Sequence, residues 1–289
     1  MEILHFYTAK KGVRFLVHTR NLLLESLGSE SYRYYWEKNS FLGRLNRNRD
    51  EYDVAVITAH GSDDAILMPR PIAEREYHHS DYIKIMEVED TEKFRNDFVC
   101  AVACSTALEF GRKAIENGTL AYMGYEIIIQ PLFQVSDRGI SKKVRETCEM
   151  AIKKAFTEEF ADAFQHFIKD FQSVKMFRQN FSFKLEKRLI CFFKMSADEI
   201  YKVYGYKVDE GIWRKNRPRV QLLQLNFLKE VNRHLVCLGD EEYISAVGFR
   251  YSPVISEKTR HRLRNVCFKN KEYQAFFLNQ LDEYLFKLQ

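Results

Sequence analysis

The sequence predicts an α/β protein: a mostly parallel sheet with helices on both faces, followed by a mostly helical C-terminal region. Three observations carry this expectation. "DVAVIT" and "FVCAVA" are unbroken apolar runs of the kind buried on both faces of a parallel sheet. Strand-like and helix-like segments alternate through the first half, the pattern of successive βαβ units. Finally, 289 residues at 46% hydrophobic are enough to bury such a core and still leave room for a second module.

The elements follow in order. "ILHFYTA" reads as a strand, "FLVHTRNLLLESLG" as a helix stopped by Gly28, "SYRYYWEK" as a short strand and "FLGRLNRNRDEY" as a helix. After "DVAVIT", residues 65–97 read as a hairpin-like insertion in which Pro69 and Pro71 suit edges and turns. "FVCAVA" leads into a helix over 107–117, with Thr106 and Glu109 at capping-box spacing and Asn117-Gly118 as the stop; "TLAYMGY" is the next strand. Residues 142–171 are helical, and a phase slip near Thr157 predicts a broken helix or a pair. Beyond about residue 175, "RLICFF" reads as a last sheet strand, while "VQLLQLNFLKEVNRHLV" and "YQAFFLNQLDEYLFKL" are helical by periodicity. The expected division falls between 1–175 and 176–289, the second part packing on the first because no Gly/Ser linker separates them.

Composition narrows the function classes. No apolar run approaches the roughly 18 residues of a membrane span, and "MEILHFYTAKKG" carries its charges after its apolar run, the reverse of a signal peptide. A cytoplasmic protein without a membrane partner is expected. The six cysteines form no CxxC pair and read as reduced thiols. Residues 1–150 hold 20 basic against 23 acidic side chains, and residues 151–289 hold 25 against 17. The basic second half is compatible with a nucleic-acid backbone, but its charges are interleaved with acids, which reads more simply as a solvated helical surface.

Chemistry gathers at two strand ends. His60 and Cys104 each follow directly on a central strand, so both belong at the carboxyl edge of the sheet, where ligands bind in folds of this class. The thiol would sit at a helix N-terminus, which favours thiolate. Gly61 lets a backbone amide approach a developing oxyanion, with the Cys104 amide as the second donor. Small neighbours, Ala103 and Ser105, leave room for a substrate carbonyl. Asp63, Asp64, Ser105 and Tyr125 are the expected substrate-binding positions. A buried cysteine is ordinarily an inert small hydrophobe, and Cys100, among Val and Ala, reads that way.

"AHGSDD" followed by "VACSTALEFGRKAIENGTLAYMGY" resembles the caspase-like cysteine peptidases, the clan of caspases, legumain, gingipains, separase and the bacterial CHAT-domain proteases. The shared pattern is a strand ending in His-Gly, a strand ending in Ala-Cys, a helix, and a strand of the form AxxGY. It spans roughly residues 1–170 and is most specific over 54–125. "ACSTA" departs from the caspase pentapeptide Q-A-C-x-G. The resemblance implies a caspase-like three-layer sandwich, with His60 as general base and acid, Cys104 as nucleophile and Gly61 as an oxyanion donor. It implies hydrolysis of a protein substrate through an acyl-enzyme, with no metal and no cofactor. His78-His79 accordingly reads as loop polarity, because no second cluster has zinc spacing.

Two function classes follow. The first is a cysteine endopeptidase, latent until a protein partner or signal activates it, in bacterial or antiviral defence or programmed death. The second is a silent caspase-fold module that binds a protein or nucleic acid through its basic C-terminal region. In the first, the 12 acidic against 5 basic side chains of residues 51–97, Asp63 and Asp64 among them, would favour a basic residue before the scissile bond. Latency would come from the basic region after 175 docking on that acidic insertion.

Overall fold

The central sheet has six strands, five of them parallel. It is seen in a computed structural model that describes residues 1–9, 12–45, 52–70, 81–251 and 254–287. The chain begins with β1 (Ile3–Tyr7), α1 (Val17–Leu27), β2 (Tyr32–Tyr35), α2 (Lys38–Leu45) and β3 (Val54–Thr58). A separate three-stranded antiparallel sheet follows, of β4 (His60–Gly61), β5 (Ala65–Pro69) and β6 (Tyr82–Glu87). The expected hairpin-like insertion is thus a small sheet, while Pro71 and His78-His79 lie outside the described residues. The main sheet resumes with β7 (Phe98–Val102), then α3 (Phe110–Glu116) and β8 (Ala121–Tyr125).

Strand order in the main sheet is β2-β1-β3-β7-β8 and then one more strand from far along the chain. β1, β3, β7 and β8 are buried at every position, as continuous apolar runs require. Side chains alternate between two cores. Ile3, Val54, Val56, Phe98 and Cys100 face α1 and the long C-terminal helices, whereas Leu4, Phe6, Ala55, Ile57 and Val99 face α2 and α3. Because β1 leads outward to β2 while β3 leads the other way to β7, the direction of winding reverses between β1 and β3, and a crevice opens there at the carboxyl ends.

The C-terminal half departs from expectation in three places. Residues 142–169 form one helix, α4 (Lys142–Lys169), with no break at Thr157. The phase slip only widens the buried stripe, which takes in Phe156, Thr157, Phe160 and Ala161 together. "RLICFF" is not a strand but part of α5 (Val174–Lys194), whose buried Phe177, Phe181, Leu185 and Leu189 recur at four-residue intervals. After α6 (Ala197–Tyr204) and α7 (Glu210–Arg233), the sixth strand is β9 (Leu235–Gly239), paired antiparallel with β8 from Ala121↔Gly239 to Tyr125↔Leu235. Its first residues read in the sequence as the end of the preceding helix; the open edge of β8 claims them. The chain closes with α8 (Glu257–Arg264) and α9 (Lys271–Phe286).

The sheet and its core therefore run across residue 175. Phe177 packs on Phe160, Phe164 and Phe167 at ring-centroid distances of 5.4–5.7 Å, and Phe181 lies 5.2 Å from Phe156. Tyr243 joins Phe98 of β7 to Tyr273 of α9. A chain ending near residue 175 loses β9 and uncovers these rings, at about 3–5 kcal/mol for each large aromatic contact set removed. Such a chain should show no cooperative thermal transition by circular dichroism, and a sharp melt would contradict this account of the core.

Candidate active site

Parallel pairing fixes where the two strand ends meet. Val54↔Phe98 through Thr58↔Val102 keep a constant offset of 44 residues, and the ladder extends one step further as the Ala59 amide donates to the Val102 carbonyl at 3.3 Å. His60 and Cys104 differ by the same 44, so they continue adjacent strands side by side. Their even numbers give them the parity of Val54, Val56, Phe98 and Cys100, and they face the same core. Both line one small cavity, with room for about one water (≈ 20 Å³). Its remaining lining comes from Gly12, Val13, Phe15 and Leu16 after β1, from Ala59 and Val102, and from Ile129, Gln130 and Phe133 after β8.

His60 is half-buried, with its imidazole set edge-on to Tyr82 of β6 at 4.9 Å between centroids. Against its other side lies Gly12, where a Cβ would stand 2.8 Å from the ring, and whose φ of +93° suits glycine alone. Gly12 escaped the sequence reading. Its signal was its place just after the first strand, on the crevice where winding reverses.

Cys104 opens a tight elbow. Ser105 has φ +57°, an uncommon conformation for a residue with a side chain and one that costs on the order of 1 kcal/mol or more. Its amide donates to the Ile127 carbonyl at 3.1 Å, and the Ala107 amide donates to the Tyr125 carbonyl at 3.0 Å. The helix does not start at Thr106. It starts at Phe110, with no side-chain cap from Glu109, and the Thr106 hydroxyl donates back to the Ala103 carbonyl. The capping is done by the His60 loop instead: the Asp63 carbonyl accepts from the Glu109 and Phe110 amides at 3.1 and 2.8 Å. The histidine and cysteine loops are thereby tied together through backbone.

The expected helix-terminus effect on the thiol therefore fails, since Cys104 stands six residues before α3. Burial pushes its thiol above the ordinary range, opposed by the neighbouring backbone amides of Ile129, Gln130 and Cys104 itself. Ile129 and Gln130, missed by sequence reasoning, begin a short 3₁₀ turn marked by Pro131.

The other predicted positions are less alike. Gly61 lies in the β4–β5 ladder opposite Ile66, and a Cβ there would come within 2.5 Å of the Cys104 carbonyl and 2.6 Å of Thr106. Close packing under the elbow is thus a sufficient reason for glycine at 61. Tyr125 and Ser105 are buried, and Tyr125 belongs to the core beside β9. Asp63 is exposed, but Asp64 is held by Lys84 and Ser62, and the Lys84 ammonium lowers its carboxyl. Asp90 of the insertion pairs with Lys38. These acids are matched within the first half rather than by the C-terminal region. Cys100 is fully buried, as read. Among the described residues no group of three or more His, Cys, Asp or Glu side chains is placed to hold a metal ion, and no helix is long and apolar enough to cross a membrane. Comparison with known protein families finds no matching family model, and no curated protein matches the chain.

Two expectations follow. Gly61→Ala forces a shift against backbone and should cost about 1–3 kcal/mol in urea denaturation, with faster alkylation of Cys104 as the elbow loosens; unchanged stability and reactivity would show that the contact gives way freely. Burial of the thiol predicts that alkylation of Cys104 by iodoacetamide keeps rising with pH beyond the ordinary thiol value of about 8.5. A plateau below pH 8, followed by peptide mass mapping, would mean that the thiolate is already formed.

Proposed function

We propose that the chain is a cysteine endopeptidase of caspase-like type, with His60 and Cys104 as its dyad. One observation carries the reading: two residues of complementary chemistry continue adjacent parallel strands in register, on one face, and line one cavity at the carboxyl edge. The strained elbow at Ser105 and the amides gathered at the sulfur fit a thiol set up for reaction. The sequence resemblance to caspase-like peptidases points the same way.

In this mechanism the thiol is protonated at rest, and His60 removes its proton as sulfur attacks the peptide carbonyl. Charge developing at sulfur meets the Ile129 and Gln130 amides. Collapse of the tetrahedral adduct breaks the C–N bond, His60 returns the proton to the leaving amine, and water activated by His60 hydrolyses the thioester. The protein substrate is the required partner.

The small cavity favours an enzyme of low basal reactivity, opened further by a partner or signal, so labelling is read after long incubation; it equally fits the second reading, a silent binding module. Part of the basic surface of the C-terminal helices is already paired with acids. Lys184, Arg188, Arg214 and Arg233 are engaged with Asp162, Glu158 and Glu159, Glu210 and Glu230. The deciding experiment is covalent labelling by a peptidyl acyloxymethyl ketone, read by intact mass. Wild type and Cys100→Ala should gain one adduct. Cys104→Ala should gain none, and His60→Ala should label at least about a hundredfold more slowly, with unchanged melting for each; equal labelling of Cys104→Ala and wild type would end the proposal.

A further inference from the structure

The cavity that joins His60 and Cys104 is also the place where a substrate side chain next to the reacting carbonyl would rest. Apart from the dyad and Gln130, its described lining is apolar: Val13, Phe15, Leu16, Val102, Ile129 and Phe133 carry most of it. No charged side chain among the described residues lines it. The acidic residues that would call for a basic substrate are not part of this lining, Asp64 being occupied by Lys84 and Asp63 exposed on the loop that follows His60. Resting on the peptidase reading, we infer that this pocket receives an uncharged aliphatic side chain, such as that of leucine or valine, from the residue before the scissile bond. A charged side chain would enter without a partner and lose its hydration, whereas an aliphatic one gains by leaving water.

The pocket as it stands holds about one water (≈ 20 Å³), less than such a side chain needs. One wall is built to give and the other to stay. Phe133 is buried and braced edge-on by the buried Phe156 of α4 at 5.0 Å, while Phe15, at 4.7 Å from Phe133, is only half-buried. Rotation of Phe15 away from Phe133 is therefore the movement that admits the substrate side chain, and Phe15 sets the size limit.

The test is a panel of peptidyl acyloxymethyl ketones that differ only in the residue beside the warhead: Leu, Val, Phe, Arg, Lys or Asp. Rates of adduct formation at Cys104 are read by mass spectrometry for wild type, Phe15→Ala and Phe15→Asp. Phe15 is half-buried, so both variants should remain folded, and a thermal melt checks this. Wild type should react at least about tenfold faster with the Leu and Val probes than with Arg, Lys or Asp. Phe15→Ala should raise the Phe probe several-fold relative to Val, and Phe15→Asp should raise Lys and Arg about tenfold relative to Leu. A charged probe fastest on wild type, or ratios that neither variant moves, would overturn the pocket assignment while leaving the peptidase reading intact. Failure of every probe to label Cys104 in all three proteins would overturn the peptidase reading, and the pocket with it.

Discussion

The pairing of β3 with β7 is the constraint on which the rest depends. A parallel ladder has no freedom to slide once each strand is buried on both faces, because a one-residue slip would turn every side chain into the opposite core. Five paired positions, from Val54↔Phe98 to Thr58↔Val102, commit the two strands to one offset. Everything beyond their ends inherits it. His60 and Cys104 stand side by side at the strand ends because the five pairs of ladder below them fix the offset at 44. The loops are then locked by backbone alone, with the Asp63 carbonyl receiving the first amides of α3 and the Ile127 carbonyl receiving Ser105.

Two opposing terms act on the thiol. Burial disfavours the thiolate, and three backbone amides favour it; burial wins in this closed arrangement. The contrast with His5 is instructive. That histidine is wholly buried on β1, with its ring nitrogens engaged by Tyr32 and Thr58, and burial lowers its pKa to about 3. It is a neutral structural residue, whereas His60 sits half-buried at the crevice.

The C-terminal region earns its place in the fold through hydrophobic surface rather than charge. Phe177 and Phe181 cover the aromatic stripe of α4, β9 closes the open edge of β8, and Tyr273 reaches Tyr243 and Tyr52 beneath the amino ends of the strands. The antiparallel strand β9 covers the edge of β8, and the sheet's edge on that side passes to this short strand. The net positive charge of this half lies largely on the outer surface of helices, where some of it is paired with acids such as Glu158, Asp162, Glu210 and Glu230.

Local sequence was enough for β1, α1, β2, β3, β7 and β8, for the placement of His60 and Cys104 at neighbouring strand ends and for the burial of Cys100. Each of these rests on a signal carried by a few neighbouring residues: an apolar run, a glycine stop, a shared position at the end of a strand. Tertiary structure alone decided the rest. β9 is a strand because β8 offers an unpaired edge, and "RLICFF" is helical because its four-residue spacing meets the face of α4, a preference that a six-residue window does not display. The helix after Cys104 begins late because a carbonyl from the His60 loop caps it, which leaves the capping box at Thr106 and Glu109 unused. Burial raises the thiol's pKa because residues from three separate segments pack around it, and Gly12 matters because the chain brings it against a histidine 48 residues away. Burial and close approach arise between distant segments, so no local pattern encodes them.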